Sequence, residues 1–184
     1  VNEPRPHSPD KKLGKRDIEA IRFVFVDKDP AKNLPFAEAR AELEAAVPQV
    51  QKSLRPTLTL DSGGGFQFLW RLAEKLDPAE FETAVEEQGR GLAKAVSGDP
   101  VQNIDRILRL PGTMNLPNAE KRSRGQTTAT ARLLDVNDAA FTLAKLAEYA
   151  PPQPSPEKTT DKDAMVTAAM TEIDMAAARG VIDY

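Results

Sequence analysis

The pattern of hydrophobic and polar positions first marks a short apolar segment that ends in charge. Residues 22–26 are rich in β-branched and aromatic side chains, and Asp27 and Asp29 follow directly. A run of this kind predicts a buried β-strand. Because strand side chains alternate between faces, Asp27 and Asp29 are expected on the same side of the strand, at its C-terminal end.

These two carboxylates are a candidate metal site. Neighbouring carboxylates repel each other unless a cation lies between them, and hard oxygen ligands suit Mg²⁺ or Mn²⁺. The alternative is structural, because an Asp-x-Asp-Pro sequence can simply end a strand with turn-forming residues.

Two further apolar segments, residues 56–61 and 66–72, predict strands that are joined by the glycine-rich turn 62–65. Such a short connection implies antiparallel pairing. Apolar residues at helical spacing predict one helix that starts near residue 33 and ends at Pro48, and a second helix over 78–96. The chain therefore combines helices with antiparallel strands.

Smaller elements are predicted on either side of this central part. Residues 1–21 are polar and predict a mostly exposed loop before the first strand. Residues 106–110 and 127–134 are predicted strands, and a helix is expected near 138–149. The core is therefore expected to span residues 1–150.

The C-terminal part differs in composition. Residues 151–163 have the proline-rich, polar composition of a linker. Apolar residues at helical spacing then predict an amphipathic helix over residues 164–184, which has to pack on the core or on a partner.

Composition excludes several classes of chemistry. The 184 residues include no cysteine and a single histidine, His7. Disulfides, thiolate zinc sites and cysteine nucleophiles are therefore absent, and histidine-based catalysis is disfavoured. No segment is long and apolar enough for a membrane span and no signal peptide opens the chain, so we expect a cytoplasmic protein. The net charge of −3 gives no general attraction for nucleic acid, which would need local basic patches.

Three sequence segments occur in a characteristic order. They are Val-Asp-Lys-Asp-Pro at 26–30, Asp-Ser-Gly-Gly-Gly-Phe-Gln-Phe-Leu-Trp at 61–70, and the stretch 98–115, which contains Arg-Ile-Leu-Arg-Leu-Pro-Gly. Together they resemble the active-site motifs of the archaeo-eukaryotic primase superfamily, and most closely the RepB-like primase-polymerase domains of phage and plasmid replication proteins. The resemblance covers roughly residues 1–135.

This resemblance implies an α+β fold, with a mostly antiparallel sheet and flanking helices in a modified RNA-recognition-type core. In the family a smaller subdomain precedes that core. The first residues of this sequence, 1–4, resemble the last strand of that subdomain. We therefore expect the sequence to lack some N-terminal family elements.

The resemblance also implies roles for individual acids. Asp27 and Asp29 match the first two metal-binding carboxylates, and Asp99 matches the third, with Asp105 as its alternative. These acids would form the catalytic centre and hold two Mg²⁺ or Mn²⁺ ions, as nucleotidyl transfer requires.

The same comparison implies a nucleotide site. Gln67 stands where the family has a histidine that contacts the nucleotide phosphates, and glutamine donates a hydrogen bond without carrying charge. In an ideal strand Arg106 and Arg109 face opposite sides, so at most one would face the site unless a bulge intervenes. The expected nucleotide-binding residues are Ser62, Gly63, Gly64, Gln67, Arg106 and Arg109.

The implied function is that of a DNA-dependent primase-polymerase, which transfers nucleotides from NTP or dNTP on a single-stranded DNA template during phage or plasmid replication in a bacterial host. Lys121, Arg122 and Arg124 are candidates for contact with template phosphates, and otherwise form a solvated loop. In the family a helicase domain often follows, which the proline-rich linker would permit.

Two alternatives remain open at the level of sequence. The first is a catalytically weak, DNA-binding replication-initiator module of the same fold, in which Gln67 marks lost chemistry. The second is another two-metal enzyme, such as a nuclease, or a phosphohydrolase with an aspartyl nucleophile. Antiparallel pairing argues against the phosphohydrolase, because that class uses a doubly wound parallel sheet.

Overall fold

The computed structural model describes residues 2–6 and 12–155. Its strands are β1 (Glu3–Pro4), β2 (Ile18–Lys28), β3 (Leu58–Asp61), β4 (Phe66–Leu76), β5 (Met114–Asn115), β6 (Ala129–Thr130) and β7 (Arg132–Val136). Its helices are α1 (Phe36–Leu54), α2 (Pro78–Val96), α3 (Ala119–Ser123) and α4 (Leu143–Tyr149), and a 3₁₀ turn spans Lys15–Asp17.

The main sheet has the strand order β1-β2-β4-β3-β7, and β5 pairs with β6 in a second, two-stranded sheet. Each neighbouring pair of strands in the two sheets is antiparallel. The predicted α+β class, with a mostly antiparallel sheet and flanking helices, is therefore confirmed. This sheet also removes the doubly wound parallel arrangement on which the phosphohydrolase alternative depended.

The two faces of the main sheet are covered differently. One face packs against α1 and α2 and carries the large core, with Trp70 and Phe68 of β4 almost fully buried. The opposite face carries a smaller cluster of Phe25, Leu60 and Leu69. Because residues alternate along β2, Asp27 shares the second face with Phe25. The second face therefore carries the first candidate acid at the end of an apolar strip.

The prediction of an exposed loop over residues 1–21 is wrong in part. Strand β2 begins at Ile18, and β1 pairs with its first residues. Ile18, Ala20 and Ile21 are buried. The exposed charged residues Glu19 and Arg22 interrupt this apolar pattern and hide the start of the strand.

The predicted end of the first helix at Pro48 is also wrong, because α1 continues to Leu54 with Pro48 inside it. An internal proline removes one backbone hydrogen bond and costs about 3 kcal/mol or more. Val47 and Leu54 are both buried in the core, and the indole Nε1 of Trp70 donates to the carbonyl of Leu54 at 2.7 Å. Tertiary contacts on both sides of the proline therefore offset its local cost.

Residues 106–110 do not form the predicted strand but run as an extended loop over the second face. Leu108 packs against the Phe25 cluster, and the backbone N–H of Arg109 donates to the side chain of Gln67 rather than to a neighbouring strand. The packing of Leu108 and the hydrogen bond from Arg109 to Gln67 therefore replace the backbone hydrogen bonds that a neighbouring strand would provide.

Two predicted elements after residue 126 have different bounds in the structure. The 127–134 strand divides into β6 and β7 at the buried Ala131, whose N–H donates to the carbonyl of Thr113. The predicted helix over 138–149 begins only at Leu143, because the backbone of Phe141 bonds to β4 instead. Helix α3 was not predicted.

The first residues of the predicted linker lie against α2, where the N–H of Gln153 donates to the carbonyl of Glu87. Residues 156–163 of that linker and the predicted helix over 164–184 lie outside the described residues, as does His7, so the predictions for them remain untested. Within the described ranges, no helix has the length and apolarity that crossing a bilayer requires.

Candidate active site

Three acids meet at the C-terminal end of β2. The backbone N–H of Asp99 donates to the carbonyl of Asp27 at 2.8 Å, and Asp99 Oδ2 accepts from the N–H of Asp29 at 3.1 Å. These two bonds tie the loop after α2 to the strand. The structure thus places Asp99 beside the pair, whereas Asp105 lines neither of the clefts around them.

Gly98 lets this loop approach the strand. A Cβ at position 98 would lie 2.5 Å from Cγ1 of Val26 and 3.1 Å from the carbonyl oxygen of Asp27. The preceding residue, Ser97, ends α2 in the left-handed conformation. A glycine immediately after the helix therefore brings Asp99 to the strand end.

The electrostatics of the three acids are unfavourable for a charged Asp27. Burial and the negative charges of Asp29 and Asp99 together raise the pKa of Asp27 to about 6, although Arg106 and a hydrogen bond from Gln67 oppose the rise. The site therefore concentrates more negative charge than the surrounding side chains neutralise. A bound cation would relieve that excess.

Basic side chains lie close to both acids at the C-terminal end of β2. Nη2 of Arg106 lies 3.8 Å from Oδ2 of Asp27, and Nζ of Lys121 lies 3.1 Å from Oδ2 of Asp29. Across residues 2–6 and 12–155, no three His, Cys, Asp or Glu side chains are already gathered in a metal-binding arrangement. The carboxylate donors nevertheless fit a hard divalent ion by their chemistry, because oxygen ligands and an uncompensated negative charge are what such ions require.

Two clefts open beside the acids, and Asp27, Asp29 and Arg106 line both of them. One, which we call the arginine cleft, has a volume of about 530 Å³ and is also lined by Ser62, Gln67, Ile107, Leu108, Arg109, Leu110, Thr113, Asn115 and Lys121. The other, which we call the α1 cleft, has a volume of about 760 Å³ and is also lined by Lys28, Pro30, Ala31, Lys32, Ala39, Glu42, Leu43, Ala46, Ser97, Asp99, Pro100 and Val101.

Both predicted arginines line the arginine cleft. The objection that they would face opposite sides does not apply, because residues 106–110 are not a strand. Arg109 donates to the carbonyl of Met114 at 3.2 Å and to Oδ1 of Asn115 at 3.3 Å. Nε of Arg106 is buried and lacks a hydrogen-bond partner within the described part of the chain. Arg106 therefore keeps unused donor capacity at the junction of the clefts.

Gln67 lies between Asp27 and the loop of residues 106–110 rather than projecting into open space. Only 4% of the residue is exposed. Its Oε1 accepts from the N–H of Arg109 at 3.2 Å, and its side chain is hydrogen-bonded to Asp27. Gln67 is therefore engaged on both sides, and this structure does not present it as a free donor for phosphate.

The glycine-rich turn satisfies its own amides. The N–H of Gly63 donates to Oδ1 of Asp61, and those of Gly64 and Gly65 donate to Oγ of Ser62. Ser62 lines the arginine cleft, but Gly63 and Gly64 do not. The amides of Gly63 and Gly64, two of the expected nucleotide-binding residues, are thus bonded within the turn and do not face the arginine cleft.

Gly65 allows the turn to approach the end of β2. A Cβ there would lie 2.2 Å from the carbonyl oxygen of Lys28 and 2.8 Å from Oδ1 of Asp29. A side chain at position 65 would collide with these atoms, so only glycine allows the turn to contact Asp29.

Arg40 of α1 is a supporting residue that the sequence analysis missed. Its Nη2 lies 2.9 Å from Oδ2 of the buried Asp61, its Nη1 donates to the carbonyl of Gly65 at 3.1 Å, and its guanidinium lies 4.1 Å from the centre of the Phe66 ring. Burial would raise the pKa of Asp61, but hydrogen bonds and charges from Arg132, Gly63 and Arg40 hold it below its usual value. The available signal was an arginine on the inner stripe of an amphipathic helix.

The three basic residues after the third motif have different surroundings. Lys121, in α3, lines the arginine cleft and contacts Asp29. Arg122 donates to the carbonyl of Pro117, and Arg124 donates to the carbonyls of Ala31 and Leu34. Arg122 and Arg124 therefore tie loops together, and Lys121 belongs with the arginine cleft.

Comparison with known proteins bears on the fold. No protein-family model and no curated protein sequence matches the chain. Among solved structures, the chain is similar to the archaeo-eukaryotic primase (AEP) domain of the cyanophage S-2L primase-polymerase, with a TM-score of 0.50 and 19% sequence identity. The match covers 75% of this chain and 64% of that domain. The chain therefore has a fold consistent with that of AEP domains.

Proposed function

We propose that this domain is a DNA-dependent primase-polymerase, which transfers nucleotides from NTP or dNTP to a strand end on a single-stranded DNA template. One observation carries the proposal: Asp99 is hydrogen-bonded to the strand end that bears Asp27 and Asp29, and a cleft with three basic side chains opens beside these acids. The fold of the S-2L AEP domain, which belongs to a primase-polymerase, supports the same proposal.

In this proposal, Asp27, Asp29 and Asp99 hold two Mg²⁺ or Mn²⁺ ions. Such ions lower the pKa of an attacking hydroxyl and offset the charge of a triphosphate. The 3′-hydroxyl oxygen forms a bond to the α-phosphorus of the nucleotide, the bond from that phosphorus to pyrophosphate breaks, and the hydroxyl proton passes to water.

The basic residues of the arginine cleft bind the triphosphate. Arg106 and Arg109 have planar guanidinium groups that suit phosphate oxygens, and Lys121 contributes a third positive charge. Because these charges surround the place where pyrophosphate charge develops, they stabilise the transition state as well as the bound nucleotide. In this proposal Gln67 does not contact phosphate. Its hydrogen bonds to Asp27 and to the backbone N–H of Arg109 fix the positions of these two residues relative to each other.

A second candidate function is a catalytically weak module that binds DNA to initiate replication. It is favoured by Gln67, which brings no charge to the family histidine position and is engaged on both sides. It is also favoured by the contacts of Arg106 and Lys121 with the acids. Both candidates predict binding of single-stranded DNA, and only the first predicts nucleotide incorporation.

Incorporation of labelled nucleotide on a primed single-stranded template, with Mg²⁺ or Mn²⁺, separates the candidates. We expect wild-type protein to incorporate nucleotide and the double variant Asp27→Asn/Asp29→Asn to lose activity by at least about a hundredfold. The matched control is Asp138→Asn, which removes an exposed acid outside both clefts. Wild-type protein that binds DNA without incorporating nucleotide would support the second candidate instead.

A further inference from the structure

We infer that the α1 cleft receives the hydroxyl-bearing 3′ end of the growing strand, while the arginine cleft holds the triphosphate of the incoming nucleotide. This inference rests on the proposed function and divides its two substrates between the two clefts. It also gives α1 a role at the site that was not predicted from the sequence.

The geometry provides the first argument. The two clefts are separate, with volumes of about 760 and 530 Å³, and they share only Asp27, Asp29 and Arg106. The acids therefore lie at the junction, where they can be reached from either cleft.

The charges of the two clefts provide the second argument. Apart from the shared acids, the arginine cleft has no carboxylate and gains Arg109 and Lys121. The α1 cleft gains two acids, Asp99 and Glu42, and two lysines. A triphosphate, as the most highly charged part of either substrate, is best accommodated in the arginine cleft.

The reaction geometry then places the other substrate. In phosphoryl and nucleotidyl transfer the attacking and leaving oxygens lie roughly in line on opposite sides of the phosphorus. If pyrophosphate leaves within the arginine cleft, the attacking hydroxyl has to approach the shared acids from the other cleft. The α1 cleft is the opening that meets them there.

The walls of the α1 cleft suit a strand end. Ala39 and Ala46 on α1 leave room because their side chains are short. Lys28 is engaged, since its ammonium donates to the carbonyl of Val96 and burial lowers its pKa. Lys32 is exposed, and within residues 2–6 and 12–155 it has neither an ion pair nor a side-chain hydrogen bond. Lys32 is therefore available to a backbone phosphate of the strand.

A bulky side chain in the α1 cleft tests the inference. Ala46→Trp fills the cleft from an exposed position of α1, and Ala45→Trp is its matched control, because Ala45 is also exposed on the same helix but does not line the cleft. Two affinities are measured by fluorescence anisotropy: that for a primer–template with a recessed 3′ end, and that for a fluorescent deoxynucleoside triphosphate. Incorporation is measured in parallel.

We expect Ala46→Trp to weaken binding of the recessed end by about tenfold or more and to leave nucleotide affinity within about twofold of wild type. Ala45→Trp should match wild type in both. Unchanged binding of the recessed end by Ala46→Trp would overturn the inference, and so would loss of nucleotide binding in its place. Wild-type protein without incorporation, combined with a selective loss of end binding in Ala46→Trp, would refute the proposed function and still support the cleft assignment.

The salt dependence of binding provides a second readout. Lys32→Ala should lower the slope of log affinity against log salt concentration by about one for the recessed-end DNA, as expected for one lost phosphate contact. Lys52→Ala, in the last turn of α1 and outside both clefts, should leave the slope unchanged. Equal slopes for Lys32→Ala and wild type would place the strand elsewhere.

Discussion

Asp27 should destabilise the domain that it serves. Its pKa of about 6, against an ordinary value of 3.8, means that the folded protein holds a proton which the unfolded chain has already released between these two pH values. The stabilisation from that proton is fully present below the ordinary pKa of 3.8 and is lost as the pH rises through about 6. A difference of this size corresponds to roughly 3 kcal/mol in the free energy of unfolding.

Asp27→Asn removes the charge at every pH while preserving the shape of the side chain. At about pH 8 and without divalent metal, we expect the variant to be more stable than wild type by up to roughly 3 kcal/mol. At about pH 5, where wild-type Asp27 is already largely protonated, the gain should fall to roughly half.

Urea unfolding measured by tryptophan fluorescence is a suitable assay, because Trp70 is the sole tryptophan of the sequence and is fully buried. The samples should contain a chelator, and Asp138→Asn should show little change at either pH. A variant that is less stable than wild type at about pH 8, or equally stabilised at both pH values, would refute the electrostatic reasoning.

Two further predictions concern supporting contacts and the third acid. Arg40→Gln should cost roughly 1–3 kcal/mol in urea unfolding, because it removes the more buried partner of Asp61 while Arg132 and the N–H of Gly63 remain, whereas Arg132→Gln, at a side chain 66% exposed, should cost less than about 1 kcal/mol; equal costs would show that the exposed Arg132 stabilises Asp61 as much as Arg40 does. Asp99→Asn should lower nucleotide incorporation by about a hundredfold or more, and Asp105→Asn should leave it near wild type; the reverse result would make Asp105 the third acid.

The sequence predicted the strand that carries the first two acids because its apolar run and the alternation of its side chains are local properties. The antiparallel pairing of β3 and β4 followed from their short glycine-rich connection. In both cases the information lies within a dozen residues. The fold class could therefore be predicted before any contact was known.

Other features depend on distant contacts and could not be predicted in this way. Pro48 has a local preference for ending a helix, and only the burial of Val47 and Leu54 reverses it. Residues 106–110 have the composition of a strand, but the backbone N–H of Arg109 donates to the side chain of Gln67 in β4 and not to a neighbouring strand. At these positions tertiary contacts, and not the local propensity of the residues, determine the secondary structure.

The candidate site likewise combines features that the local sequence predicts with features that depend on distant contacts. Its acids and arginines were predicted by motif order, but the position of Asp99 beside Asp27 and Asp29 depends on two hydrogen bonds, one to the carbonyl of Asp27 and one from the N–H of Asp29. Lys121 was assigned to template phosphates because it follows the third motif in a basic loop. Its contact with Asp29, 92 residues earlier, places it in the arginine cleft.

In the proposed mechanism, Asp27 and Asp29 at the C-terminal end of β2 and Asp99 in the loop after α2 jointly hold divalent metal next to the arginine cleft. A crystal structure with Mn²⁺ and a non-hydrolysable deoxynucleoside triphosphate tests it directly through the anomalous signal of manganese. We predict Mn²⁺ within about 2.5 Å of carboxylate oxygens of Asp27, Asp29 and Asp99, with the triphosphate in the arginine cleft. Nucleotide bound elsewhere, or Mn²⁺ bound without any of these three carboxylates, would contradict the account.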